Sequence, residues 1–543
     1  MTANASSYEQ IMENFELTVP VAFNFARDVI DATDDPQAAA IFWVKGDQEI
    51  TVSYQELSDT SKHLATALQA LGVRKGETVI ILLGRKLQWW EAVTACLRMG
   101  AVISPATPQL SASDLEYRIN ASGASCVIVD VLNSSKIDSI LEKCPGLRNK
   151  VLVGADSGNP ALGWSHYSEL LSTEISDHAT EDLLATDEAF CFFTSGTTGK
   201  PKMTVHTQAS NGIAHMTTGK FWLDQKPGDL HWNITDTGWA KAAWSSYFGP
   251  FICGSCVFVD DSDFTPQRTL ELLQRFPITT MCGAPTIYRM LVQQDLSDFQ
   301  PPSLRHCVAA GEPLNPEVID TWRETTGITV RDGYGQTETV LLCGNFPSMD
   351  IKAGSMGKPA PGFDLAVVDH DGEVVAPNQE GDIAVRVRPQ RPVGLFKEYR
   401  GAASATQATF RGDWYITGDR AFVDEDGYFW FVGRTDDVII TSGYRIGPFE
   451  VESILLEHAA VAESAVVSSP DETRGEVVKA FIVLSAGYEP GADLLGELQQ
   501  HVKSITAPYK YPRKIEFVES LPKTVSGKIR RKELRDREWQ EVS

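Results

Sequence analysis

Short β-branched apolar runs alternate along most of the chain with longer stretches whose apolar residues recur at helical spacing. TVIILLG (78–84) precedes an amphipathic stretch from Gln88 to Met99, CVIVDV (126–131) precedes SSKIDSILEKC, and TTMCGAP precedes TIYRMLVQQ. Strand-then-helix alternation of this kind predicts an α/β protein, with mainly parallel sheets flanked by helices. From about Asp364 the pattern changes. DLAVVD, GDIAVRV and GYFWFVG are short or alternating runs separated by Asp-Gly and Glu-Gly turns, which predict a small antiparallel β unit.

A second break falls at GRTDDVI, beyond which PFEVESILLEHA and LLGELQQHVKSI read as helices, and AESAVVSS and VVKAFIVLS as strands. The expected division is a large N-terminal domain over 1–433, a connector at 434–438, and a small α+β C-terminal domain over 439–543.

Composition sharpens this picture. At 543 residues the chain exceeds one ordinary core, and 43% hydrophobic with 22% charged residues is the balance of a folded, water-soluble protein. A net charge of −24 argues against duplex nucleic acid or an anionic membrane surface as partner. Small anions need only a local patch, and residues 503–537 supply one, with eleven Lys or Arg against four Asp or Glu.

The nine cysteines are scattered and odd in number, which suggests a reducing compartment. Cys253-x-x-Cys256 lies within PFICGSCVFV, a run with strand character, and reads as a pair of buried structural thiols. The first twenty residues hold no Lys or Arg and no continuous apolar core, and the last three are Glu-Val-Ser. No apolar run approaches the roughly 18 residues that span a bilayer. A cytoplasmic location is expected, with the mitochondrial matrix as the alternative, for a monomer or homodimer.

The chemistry concentrates first in TSGTTGKPK (194–202), where an apolar run enters a turn of Gly and hydroxyl residues. Backbone N–H groups and hydroxyls in such a turn can wrap an oxyanion, and phosphate is the natural guest. The spacing is not that of the Walker loop, because Gly196 and Gly199 stand three apart and Pro201 follows Lys200. Four further segments accompany it in order: AAGEPLNPE (309–317), DGYGQTE (332–338), YITGDRAFVDEDGYFWFVGRTDDVIITSGYRIGPFEVE (415–452) and PKTVSGK (522–528).

This ordered set resembles the adenylate-forming superfamily of acyl-CoA synthetases, luciferases and peptide-synthetase adenylation domains, over nearly the whole chain. GWAKAAWSSYFGPFICGSCVFVDD, PITTMCGAPTIYRML and TAPYKYPRKIEFV are most similar to the medium-chain acyl-CoA synthetases. The resemblance implies an ATP- and Mg²⁺-dependent acid:CoA ligase with ATP and CoA as co-substrates, whose C-terminal domain turns about a hinge between two half-reactions.

It also implies roles residue by residue. Thr194, Ser195, Gly196, Thr197, Thr198, Gly199, Lys200, Pro201 and Lys202 would cradle the β- and γ-phosphates. Gly311, Glu312 and Pro313 would wall the adenine, and Asp332, Gly333, Tyr334, Gly335, Gln336 and Thr337 would pass beneath AMP, with the Tyr334 ring available for stacking. Glu338, with Thr197, would hold Mg²⁺. Asp419 would bind the ribose and Arg434 would assist, although a turn role for Asp419 and an ion pair of Arg434 with Asp436 or Asp437 are the plainer readings. Lys528 would reach the α-phosphate, and Lys528, Glu338 and Thr337 form the expected catalytic set. Asp436 would be the hinge residue, and Ser442, Gly443, Tyr444, Arg445, Arg474 and Lys503 would meet CoA.

Acetyl-CoA synthetases resemble this chain but carry Trp where Gly335 stands. A longer acyl chain is therefore expected in a pocket lined by Trp239, Ala240, Ala284 and Gly335. A medium-chain fatty acid is the leading substrate, with benzoate or phenylacetate as the alternative. The absence of G-x-S-x-G opposes an esterase, and a non-catalytic nucleotide- or acyl-binding protein is the reading from a different class.

Overall fold

The computed structural model describes residues 7–154, 163–172, 180–194, 201–441, 444–471, 474–523 and 528–540, with the backbone alone for Tyr444 and Arg445. Two large sheets dominate it. The first runs, edge to edge, Glu398–Tyr399, Lys202–Thr207, Glu188–Thr194, Val102–Pro105, Thr78–Leu82, Cys126–Asp130, Asn149–Val153 and Ser165–His166. Its pairs are parallel from Glu188–Thr194 onward, and antiparallel at the other edge. The second runs Lys358–Pro359, Leu341–Gly344, Val330–Gly335, His306–Ala310, Thr280–Gly283, Leu230–Ile234, Cys256–Asp260, Ala39–Lys45 and Gln48–Ser53, with six parallel strands in its middle.

The central strands are buried on both faces, which is why they read as continuous apolar runs. The sheets share one core. Ile41 and Val257 of the second sheet join Val79, Ile103 and Phe190 of the first around the helices Tyr54–Ala70 and Leu87–Met99. The latter helix is buried nearly all round because it lies inside this sandwich. Its one guanidinium, Arg98, is fully buried and answered by both carboxylate oxygens of Asp31 (2.7 and 2.8 Å), Ser61 and Thr180.

Two local expectations change. SSKIDSILEKC breaks into a short helix, Ser134–Asp138, and a 3₁₀ turn, Leu141–Lys143. The Ser134 and Ser139 hydroxyls donate to the carbonyls of Val131 and Lys136, and so compete with a longer helix. PFICGSCVFV is strand only from Cys256, since Pro250 opens the helical turn Gly249–Ile252 and Gly254 reverses the chain in the left-handed region (φ 67°). Cys253 and Cys256 are half-buried thiols, both pushed up to about 12 by burial.

The expected β unit is an antiparallel sheet of Leu365–Val368, Gly381–Arg386, Trp414–Val423, Phe410–Arg411 and Phe429–Arg434. After Arg434 the chain makes a turn, with the Asp437 and Val438 N–H groups both donating to Arg434 O. The C-terminal α+β unit follows, a three-stranded sheet of Val461–Asp471, Gly475–Leu484 and Lys514–Phe517 with helices Pro448–Leu456, Ala492–Ile505 and Arg531–Gln540. The expected fold class is met. In the last helix Arg531 makes a two-pronged pair with buried Glu452, and one turn later Arg535 donates to Asp436 O and to the Asp437 carboxylate (3.0 Å). Among the described residues no helix is long and apolar enough to cross a membrane.

Candidate active site

Segments that follow the parallel strands of the two large sheets touch one another, Thr107 donating to Asp236 at 2.9 Å and Thr237 to Leu83 O at 2.5 Å, and strand ends of this kind are where ligands of α/β proteins bind. Glu188–Thr194 leads up to the Gly- and hydroxyl-rich loop and Lys202–Thr207 returns antiparallel, with Thr194 paired opposite Lys202. The loop is thus closed at its base. Pro201 O accepts from the Tyr117 hydroxyl. Ser195, Gly196, Thr197, Thr198, Gly199 and Lys200 lie outside the described residues.

In the second sheet, Gly311 follows the strand His306–Ala310 in the left-handed region (φ 106°). Glu312 beside it accepts from Thr286 (2.9 Å) and Arg289 (3.1 Å), which fixes this wall to the helix Pro285–Val292. Asp332, on the neighbouring strand, is buried and accepts the backbone N–H groups of Gly333 and Leu314. Burial pushes its carboxyl up to about 8.

Asp419 is the point of convergence. Its Oδ2 accepts from the Tyr334 hydroxyl at 2.6 Å and from Gln336 Nε2 at 2.7 Å, and Gln336 Nε2 also donates to Thr417 O at 3.0 Å, so the DGYGQTE segment is tied to the β unit here. The Tyr415 hydroxyl donates to Gln336 Oε1 in turn. Arg434, directly across the ladder, approaches Asp419 Oδ1 at 3.8 Å. Burial raises the Asp419 carboxyl and the Arg434 charge draws it back. Arg434 therefore faces Asp419, whereas Asp437 pairs with Arg535.

Beyond the convergence, Thr337 O accepts from His206 Nε2 at 2.7 Å, so that nitrogen carries the ring proton. His206 is fully buried and its pKa falls to about 4 by burial, which keeps the imidazole neutral. Glu338 is recessed, raised by burial, and accepts the Tyr399 hydroxyl at 2.7 Å. The positive charge of Lys528, in the C-terminal unit, is one of the weaker influences that lower both the Asp419 carboxyl and the Lys241 ammonium.

Family comparison fits this geometry. A model of the AMP-binding enzyme matches residues 30–399, and one of the AMP-binding enzyme C-terminal domain matches residues 450–528. The chain belongs to the AMP-binding enzyme family. The human mitochondrial acyl-coenzyme A synthetases ACSM3 and ACSM4 are 49% and 48% identical to it, over 99% and 96% of this chain and 94% and 91% of their own. Among solved structures, the anthranilate CoA ligase AuaEII with anthranoyl-AMP is similar at 29% identity and a TM-score of 0.88, covering 97% of this chain and 99% of that one.

In this AMP-binding enzyme the residues expected at CoA do not all gather. Tyr444 and Arg445 lie on the strand Tyr444–Ile446, paired with Ile439–Thr441, and the Ile440 N–H donates to Glu476, close in sequence to Arg474. Lys503 instead sits over the Tyr511 ring at 3.9 Å. Ser442 and Gly443 lie outside the described residues. Asp436 occupies the turn held by Arg535.

At the expected acyl pocket, Trp239 stands at the start of the helix Ala240–Ala243 and Ala284 just before Pro285–Val292, both partly exposed. Gly335 holds a surprise. A Cβ there would lie 2.5 Å from Val340 O and 2.9 Å from the tip of the Trp244 indole, so the space that a missing Trp at 335 should vacate is taken by Trp244. Trp244 in turn lies against the His215 ring, itself stacked on Phe248.

Sequence reading missed Trp244, Lys241 and Tyr399. Trp244 and Lys241 stand in GWAKAAW, where the spacing says helix but not what the helix faces. The Lys241 ammonium donates to Gly283 O (2.6 Å) and Ala310 O (2.9 Å), the last residues of two adjacent parallel strands. Tyr399 has no local signal, because its two-residue strand exists only by pairing with Lys202–Thr207.

The raised Asp332 carboxyl yields a pH prediction. The folded protein keeps this proton up to about 8 while the unfolded chain loses it near 4, so the stability it lends is lost as pH rises through that window. Asp332→Asn is expected to flatten this slope. Its melting temperature should gain on that of the parent between pH 5 and pH 8.5, and parallel curves would contradict the assignment.

Proposed function

We propose that the seam around Asp419 binds ATP, joins its α-phosphate to a carboxylic acid, and then passes the acyl group to CoA. The chain is an ATP-dependent, AMP-forming acid:CoA ligase. A carboxylate is a poor electrophile and needs a leaving group before a thiol can displace it. In the first step a carboxylate oxygen attacks the α-phosphorus and the bond to pyrophosphate breaks; in the second the CoA sulfur attacks the acyl carbon and AMP leaves with the bonding pair.

The observation that carries this reading is the convergence of Tyr334, Gln336 and Arg434 on the buried Asp419 carboxylate, and Lys528 of the C-terminal unit is the positive charge we assign to the α-phosphate. Asp419 suits the ribose hydroxyls, the Tyr334 ring suits adenine, and the 194–202 loop suits the β- and γ-phosphates. The donor set fits a hard divalent cation, since Glu338 offers a recessed carboxylate with one oxygen already held by Tyr399. Glu338 and Thr197 would hold Mg²⁺, which would offset the phosphate charge. Asp436 is the hinge about which the 439–543 unit turns to bring Arg445 and Arg474 to CoA.

A medium-chain fatty acid is the acid we favour, in a pocket whose depth Trp244 sets in place of residue 335. An aryl acid is the second reading, because a benzoate CoA ligase from Burkholderia xenovorans shares the fold at 26% identity and a TM-score of 0.84, over 94% of this chain and all of that one. The names of the ACSM relatives favour the mitochondrial alternative for location, and the cytoplasmic expectation finds no such support.

Pyrophosphate release with and without CoA, across acids from acetate to dodecanoate plus benzoate and phenylacetate, tests the whole reading. Octanoate-sized acids should lead, and silence with every acid would overturn it. Lys528→Ala should abolish acyl-adenylate formation, by about 100-fold or more as for lost transition-state charge stabilisation, while sparing thioester formation from supplied acyl-AMP. Equal loss of both half-reactions would refute its role. Trp244→Ala should extend the profile to longer chains, at about 1–3 kcal/mol per added methylene. Gly335→Trp should impair folding rather than select acetate, since even its Cβ has no room.

A further inference from the structure

One side chain joins two motifs that lie far apart in sequence. Tyr399 is buried at the edge of the first sheet, where Tyr399 pairs opposite Thr204 and Glu398 opposite Val205. Its hydroxyl donates to Glu338 Oε1 at 2.7 Å, and its ring carries the Lys202 ammonium 4.8 Å from the centroid. The backbone beside it is fixed to the same two places. The Phe396 N–H donates to Glu338 O at 2.7 Å, Leu395 bridges to Thr339, and the Lys397 N–H donates to Val205 O at 2.7 Å. Lys397 and Arg400 then clasp Glu188 at the start of the strand that leads to the phosphate loop.

A phenol can donate only one hydrogen bond, and here it goes to one carboxylate oxygen, leaving the other for a cation. A cation over the ring face polarises the phenol and makes it the better donor. The carboxylate is thereby held in one orientation before any ligand arrives, and a carboxylate oriented in this way binds metal more tightly than a free one.

We propose that Tyr399 is a positioning residue, which holds the metal-binding carboxylate Glu338 and the phosphate-loop lysine Lys202 as one unit; this rests on the assignment of Glu338 as the metal ligand. Its aromatic ring and its hydroxyl have separable duties. Tyr399→Phe keeps the seat of Lys202 and removes only the hold on Glu338.

The test is Mn²⁺ binding to the full-length protein with a non-hydrolysable ATP analogue, followed by electron paramagnetic resonance, beside the Mg²⁺ dependence of pyrophosphate release. Tyr399→Phe should weaken Mn²⁺ binding by about 10- to 100-fold with little change in melting temperature, and its activity should return at high Mg²⁺. Wild-type Mn²⁺ affinity in Tyr399→Phe, with affinity lost in Glu338→Gln, would overturn the role of Tyr399 alone. Wild-type affinity in Glu338→Gln as well would overturn the metal assignment together with it. Loss of activity in Tyr399→Phe that excess Mg²⁺ does not restore would mark a merely structural role and would also count against the proposal.

Discussion

A carboxylate kept out of water must be paid in hydrogen bonds and nearby charge, and at Asp419 that requirement organises the site. Two donors from the DGYGQTE segment meet one of its oxygens and Arg434 stands near the other. The donors lie on and just after a strand of the second large sheet and the acceptor on the antiparallel unit, so this carboxylate ties the two together, beside the bonds of Gln336 to Thr417 and Tyr415. Lys528, in the C-terminal unit, adds a smaller favourable charge.

Much of this was legible in the sequence because its signals are local. The Gly- and hydroxyl-rich loop, strand-helix alternation and the late β unit each declare themselves within a dozen residues. The broken helix after Asp130 and the half-helical PFICGSCVFV were not legible, since serine hydroxyls and a left-handed glycine override apolar pattern there. Tyr399 and Trp244 were hidden for a different reason. Their importance lies in partners 61 positions away for Tyr399 and 91 for Trp244, read from the Glu338 contact and from Gly335, and one chain carries no trace of such distance.

The glycines of DGYGQTE illustrate how easily a substitution argument misfires. Gly335, at the end of a strand, reads as an opened volume when set beside chains with Trp there, yet the Trp244 ring, from the helical segment Trp244–Phe248, fills that volume. Gly333 is backed in the same way by the Trp222 ring, 2.5 Å from where a Cβ would stand. In a close-packed interior a small residue is as often the imprint of a large neighbour as the mark of a void.

The helix Arg531–Gln540 grips the C-terminal unit through Arg531 and the 434–438 turn through Arg535, one helical turn apart on the same face. Lys528 precedes it by three residues. One short helix of ten residues thus clamps the C-terminal unit to the 434–438 turn. Because the two grips sit on one face, a force that tilts this helix pulls on the Glu452 pair and on the turn together.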